Sequence, residues 1–378
     1  MKNALLALLV SLVSLELFSF VAARANLLLF NDYPEIYRPR FSGNSWRTQK
    51  DPWGSWHKLD ATDRHQSSCF DVRYASNAIG ARDTAFEHSK PDGQMRYVLI
   101  GDSFAEGYGV DFKDAAQTQL EKLVGVDIYN FGSDGYFGPV QYYLIYKDLA
   151  KQFEHDGVIL FFLPANDFTD NDYTFWKGFH PSWYRPYYKK TNNGGYDIFY
   201  PEQAMPNDQY EDKIEGNTIK RFMLRNLMRY TFTADTVRTI KYLLARSPLE
   251  KLGYSGYFDA TAEQQEAALY FVEKLVREAA PRRVMILVIP NREDMNRIRS
   301  GKSYKDQYWF NKLSSMATNT DIEVIDMADH MPDDYASLFL PCDNHWNALG
   351  NRAAAKLIAA KFHSSISHRD THPVGAAR

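Results

Sequence analysis

Two uninterrupted apolar runs constrain this chain more than any other feature: Gly157-Val-Ile-Leu-Phe-Phe-Leu163 and Arg283-Val-Met-Ile-Leu-Val-Ile-Pro290. Successive side chains of a strand point to opposite faces, so a strand with one face in water alternates apolar and polar residues. Runs without alternation need cover on both faces, which helices supply on either side of a parallel sheet. Shorter strands are legible at Tyr97–Ile100, Val126–Phe131 and Ile322–Ile325. Helical spacing recurs at 113–124, 139–152, 304–318 and 348–363. Strands alternating with helices predict an α/β fold with a doubly wound, parallel, five-stranded sheet. Hydrophobic residues make up 45% of the chain and charged residues 24%, which supports a packed core and excludes global disorder.

More than one element lies between the third and fourth strands, and a large insertion is expected at about 168–280. Its first half is dense in aromatics, among them Trp176, Trp183 and Tyr184. They suit a groove for flat or ring-shaped ligands, or else form the insertion's own core. Its second half, 217–246, has helical spacing with Lys220, Arg221, Arg225, Arg229, Arg238 and Lys241. These charges are a solvated face or a contact to anionic lipid headgroups. Residues 26–94 are expected to be an extended β-containing segment packed on the main domain at 95–365, with a disordered tail at 366–378.

Lys2 precedes an apolar run from Ala4 to Ala23. This is an export signal, either cleaved near Ala23-Arg24-Ala25 or retained as an anchor. Its length favours the anchor, although Glu16 is a costly residue for a membrane helix. With Lys2 inside, the rest of the chain faces outward, periplasmic in a Gram-negative cell, or secreted if the signal is cleaved. The net charge is −3, and no basic stripe points to nucleic acid. Two cysteines, Cys69 and Cys342, are expected to pair in an exported protein, with two buried thiols as the alternative. Their spacing offers no zinc motif, and no metal or cofactor is expected.

Four short stretches sit at predicted strand ends, where open α/β sheets bind ligands. Gly101-Asp102-Ser103-Phe104 follows the first strand, Asn130-Phe131-Gly132 the second, and Pro164-Ala165-Asn166-Asp167 the third; Asp343-Asn344-His345-Trp346-Asn347 precedes the last helix. A serine at a strand-to-helix turn can present its hydroxyl to the crevice. A glycine can aim a backbone N–H, and an asparagine amide can donate to an oxyanion. An aspartate two residues before a histidine can bond one ring nitrogen while the other faces the serine. Each stretch alone is ordinary cap or turn chemistry. Their common order and placement carry the signal.

That order resembles the SGNH (GDSL-like) hydrolase superfamily over residues 95–168 and 283–363. The run Gly101-Asp-Ser-Phe-Ala-Glu-Gly-Tyr-Gly-Val110 is similar to its first block, and Asp343-Asn-His-Trp-Asn-Ala-Leu-Gly350 to its last. The resemblance implies a three-layer, flavodoxin-like fold with Ser103 as nucleophile, His345 as base and Asp343 as its orienter. It also implies an oxyanion hole made by the Ser103 and Gly132 N–H groups and the Asn166 side chain. Pro164 replaces a glycine common in the third block, and one residue rather than two separates the acid from the base. The expected function is an exported serine esterase acting on O-acyl esters, with O-acetyl leading, on an acylated small molecule or glycan. One alternative is an O-acetyltransferase of envelope or exported polysaccharide. Another is a non-catalytic assembly or binding protein on the same scaffold.

Overall fold

The computed structural model describes residues 2–24, 47–50, 52–66, 69–134, 136–177, 184–202, 231–233, 236, 254–318, 321–341 and 343–369. Its centre is a parallel sheet of five strands: β1 (Arg96–Ile100), β2 (Asp127–Asn130), β3 (Gly157–Phe162), β4 (Arg283–Val288) and β5 (Ile322–Asp326). Their order across the sheet is β5-β4-β3-β1-β2, the flavodoxin-like order. All of β3 is buried, as are five of the six residues of β4. The two apolar runs are therefore the middle of the sheet, in register with Leu160 opposite both Ile100 and Ile286.

Five helices cover the sheet: α1 (Ala116–Val124), α2 (Pro139–Asp148), α3 (Ala262–Ala279), α4 (Tyr308–Met316) and α5 (Ala348–Arg369). α1 packs on α5, while α3 packs on α2 and α4. Right-handed crossovers put these two groups on opposite faces, completing three layers. α3 is capped by Thr261, whose hydroxyl accepts from the Gln264 amide. It buries Ala267, Ala268, Phe271, Val272 and Leu275, the stripe a sheet-covering helix needs. This helix lies within the stretch first read as insertion. Because it covers the β3–β4 crossover, the insertion ends before it, near 255, and not at about 280. α5 runs to Arg369, past the expected start of the tail at 366; residues 370–378 lie outside the described residues.

The segment before the domain is packed on it. Hairpins pair Arg47–Lys50 with Gly54–His57 and Thr62–Gln66 with Asp71–Ala75. Trp56 is fully buried and donates its indole N–H to the Ile79 carbonyl at 2.9 Å. At the N-terminus, Lys2–Arg24 is one helix, of which Asn3–Ala22 is long and apolar enough to cross a membrane, with mean hydropathy 2.4.

The aromatic first half of the insertion forms a short helix at Tyr173–Trp176 and a hairpin pairing Tyr187–Lys190 with Tyr196–Phe199. Trp176 does not line an open groove. It is 4% exposed, donates its indole N–H to Thr169 O at 2.9 Å, and lies under the Arg185 guanidinium. A large ring whose polar edge finds a backbone acceptor inside is a packing residue. Tyr184 is half-buried and stacks on Tyr200. Trp183 lies outside the described residues, as does the basic stretch 217–246 apart from residues 231–233 and 236.

Candidate active site

Ser103 owes its position to the abrupt end of β1. The Asp102 carboxylate accepts from the Phe104 amide at 2.9 Å and caps a helix of one turn, Ser103–Glu106. Gly107 ends that turn at φ 82°, a left-handed conformation that glycine adopts without penalty. A Cβ there would also come within 2.8 Å of the Ala115 Cβ. Ser103 is thereby held at the carboxyl end of β1, with its N–H among the first-turn amides that a helix leaves unpaired.

His345, the expected base, arrives from the other end of the sequence. The loop before α5 folds back through a bridge between Phe339 and Trp346, and the Leu340 amide donates to the His345 carbonyl at 2.8 Å. Trp346 is 1% exposed and anchors the loop in the core. His345 Nε2 lies 2.6 Å from Ser103 Oγ. Its Nδ1 is hydrogen-bonded to Asp343 Oδ1, which also accepts from the His345 amide at 2.9 Å. Burial, the largest single influence, pushes His345 down, but the Asp343 charge and hydrogen bond, with Asp134 and Asp102 beyond, bring it up to about 9. Burial likewise pushes Asp343 up, and the His345 charge and hydrogen bonds outweigh it, holding the carboxylate below its usual range.

Asn166 follows β3 in the short helix Pro164–Asp167. Its Nδ2 donates to Asp102 Oδ2 at 3.2 Å, so the residue that caps the serine turn also aims the asparagine. The second Nδ2 hydrogen remains for an incoming oxyanion. Burial lifts Asp102 to about 6. Behind it, burial and the neighbouring Asp102 charge push Asp167 up, and Asp167 accepts from the Tyr142 hydroxyl at 2.6 Å and the Leu163 amide at 2.7 Å.

Gly132 stands beside the same turn, but its N–H donates to Asn130 Oδ1 at 2.8 Å. To serve an oxyanion it must share or leave that acceptor. A Cβ at Gly132 would lie 2.4 Å from the Glu106 nitrogen, so the close approach of two backbones already demands glycine here. The structure thus gathers Ser103, Asp343, His345 and Asn166, with Gly132 one layer behind.

Several residues at the site went unnoticed in the sequence. Tyr108 stacks on the His345 ring and is met edge-on by His65 and Phe70. Tyr74, in the same hairpin as His65, accepts from the Gly109 amide at 2.7 Å. Arg82 is 1% exposed and donates to the carbonyls of Glu106 at 2.8 Å, Gly107 at 2.5 Å and Val110 at 2.7 Å. The segment 26–94 was expected to contain β structure, but nothing local showed what it would touch. Cys69 carries no free thiol and packs with the cluster that contains Leu340. Cys342 lies outside the described residues.

A flavodoxin-like sheet with a serine after its first strand, an asparagine after its third and an Asp-x-His before its last helix is the arrangement of SGNH-type serine hydrolases and related O-acyltransferases. The arrangement resembles the SGNH (GDSL-like) superfamily. Residues 254–375 match a family described as SGNH hydrolase-like domain, acetyltransferase AlgX. No curated protein matches the sequence. Among solved structures, the chain is similar to a G-D-S-L family lipolytic protein of Desulfitobacterium hafniense, at 14% identity and a TM-score of 0.34, over 71% of this chain and 99% of that one. It is similar to a lipase/acylhydrolase of Enterococcus faecalis at 12% identity and a TM-score of 0.39, over 72% and 97%. A family two carbohydrate esterase of Clostridium thermocellum, in complex with cellohexaose, gives 9% identity and a TM-score of 0.36, over 78% and 74%.

Proposed function

We propose that the protein is an exported, membrane-anchored enzyme that moves acetyl groups on carbohydrate esters through an acyl-enzyme on Ser103. The observation that carries this reading is the continuous hydrogen-bonded chain from Ser103 Oγ through the His345 ring to Asp343. His345 in its neutral form takes the Ser103 proton as Oγ attacks the ester carbonyl. Asp343 fixes the ring and favours the imidazolium that forms. The Ser103 N–H and the Asn166 amide receive the tetrahedral oxyanion, and Gly132 joins them if its N–H turns from Asn130. Collapse breaks the ester C–O bond, His345 protonates the leaving alcohol, and acetyl stays on Ser103. Water then releases acetate, with His345 again as base.

The matched family's description favours a second reading of the last step, in which a sugar hydroxyl replaces water and receives the acetyl group. The apolar N-terminal helix supports export and anchoring. The deciding experiment uses the full-length protein in detergent, with a simple acetyl ester as donor, with and without a glycan acceptor. Free acetate in both conditions supports the esterase. Acetylated glycan formed only with acceptor supports transfer. A protein that yields neither product and resists fluorophosphonate labelling at Ser103 overturns the enzymatic reading, leaving a scaffold.

A further inference from the structure

We propose that residues 231–233 of the insertion are a membrane-docking element built onto the N-terminal helix, with Glu16 as the fastening group and the outer leaflet of a lipid bilayer as the partner surface. The Glu16 carboxylate accepts from the Phe232 amide at 2.7 Å, the Thr233 amide at 3.0 Å and the Thr233 hydroxyl at 2.9 Å. Phe20, one turn further on, meets the Phe232 ring edge-on with centroids 5.0 Å apart. Ser19 and Ala22 are buried at 0% and 1%. Among the described side chains of this helix, only Glu16, Ser19 and Ala22 are not exposed. A spacing of three residues puts them on one stripe, and the rest of the helix surface is left bare for lipid.

Glu16 is the residue that fits a membrane helix worst, since a charge in hydrocarbon is costly unless it is paired or hydrogen-bonded. Three donors from one short segment answer that need, because hydrogen bonds to an ionised acceptor are the strong ones. The arrangement also fixes depth. Glu16 precedes the end of the span at Ala22 by six residues, about 9 Å along a helix. With Lys2 on the inner side, residues 231–233 sit at the outer boundary between headgroups and acyl chains, where interfacial segments bind. The insertion leaves the active site directly after Asn166 and Asp167. The same chain that carries Asn166 and Asp167 thus continues into the segment bonded to Glu16. The helix is then a retained part of the fold, and no cleavage follows Ala25.

The inference rests on the anchored reading above, and the experiment separates the two. The full-length chain is recovered from native membranes and its N-terminus is measured by intact mass. The variant pair Phe20→Cys and Phe232→Cys is treated with a short thiol-to-thiol cross-linker, and linked peptides are identified by mass. Leu6→Cys with Phe232→Cys is the control, since Leu6 lies 14 residues from Phe20, about 21 Å along the helix. The expected result is a retained N-terminus and a cross-link in the first pair only. In the first pair, Glu16→Leu should cut the cross-link yield several-fold while fluorophosphonate still labels Ser103. A mature chain beginning near Asn26 overturns the anchor and the docking together. A retained helix without the cross-link, or a yield indifferent to Glu16→Leu, overturns the docking alone.

Discussion

Tyr108 lies over the imidazole of His345, with ring centroids 4.1 Å apart and 26° between the planes. Its backbone N–H donates to the Ser103 carbonyl at 3.0 Å. One residue therefore touches both the nucleophile's turn and the base, and the His65 and Phe70 rings hold it from the N-terminal hairpin. Small misplacements of reacting groups cost about 10²-fold. Tyr108→Leu is expected to lower kcat by about 10-fold to 10²-fold with little change in thermal stability, and Tyr108→Phe to keep most of it. Steady-state rates on a simple acetyl ester check this; an unchanged kcat in Tyr108→Leu would show that the stack is incidental.

The raised His345 sets the pH dependence. A base must be deprotonated, so kcat/KM should rise with pH with its midpoint near 9, not near the ordinary histidine value of about 6.5. The Asp343 charge is what lifts it. Asp343→Asn should move the inflection to lower pH and reduce the rate by about 10⁴-fold, as loss of the acid does in comparable triads. A profile whose midpoint is unmoved in Asp343→Asn would separate the titration from His345.

Asn166→Ala removes one oxyanion donor, and a loss of about 10²-fold to 10³-fold in kcat is expected with KM nearly constant. Asn130→Ala tests the neighbouring donor by freeing the Gly132 N–H from its present acceptor. If Gly132 serves the oxyanion, kcat in Asn130→Ala should hold or rise. If the Asn130 amide matters mainly through its bond to the Ala105 carbonyl at 2.7 Å, stability should fall instead. The two are told apart by measuring rate and melting temperature on the same sample.

Arg82 binds three carbonyls that follow the nucleophile, and its guanidinium rests on the Tyr74 ring at 4.0 Å. Arg82→Met should leave those acceptors unsatisfied, at about 1–3 kcal/mol for each buried group. A loss of at least about 3 kcal/mol in chemical unfolding is expected. Arg82→Lys should rescue only part of it, because an ammonium cannot span all three. A stability within 0.5 kcal/mol of wild type, roughly the noise of surface substitutions, would remove Arg82 from this role.

Cys69 packs with the cluster that includes Leu340, two residues before Cys342. A Cys69–Cys342 bridge is proposed, joining the N-terminal hairpin to the loop that carries Asp343 and His345. Closing so long a loop stabilises by about 5.6 kcal/mol in the chain-entropy model. Non-reducing peptide mapping should find the linked pair, and reduction should lower the melting temperature and the rate together. Two free thiols in the exported protein would refute the bridge.

Local pattern was enough to predict the sheet and to nominate the residues that the fold gathers at its edge. Gly157–Leu163 and Arg283–Pro290 could only be covered strands, and the turns after strands had to converge at one edge of the sheet. Both conclusions follow from periodicity and from the rule that parallel strands share an end. Helix Ala262–Ala279 was misread as insertion because a helix that covers a sheet and one that covers an insertion carry the same apolar stripe. Trp176 could be weighed as groove or core but not resolved, since burial depends on what arrives from elsewhere. Only the packed chain shows Arg82 gripping the serine turn, Tyr108 lying on His345, and Glu16 finding its donors at residues 232 and 233. These partners are separated by up to 237 positions, between Tyr108 and His345, and no short pattern encodes a contact that exists only after the intervening chain has packed.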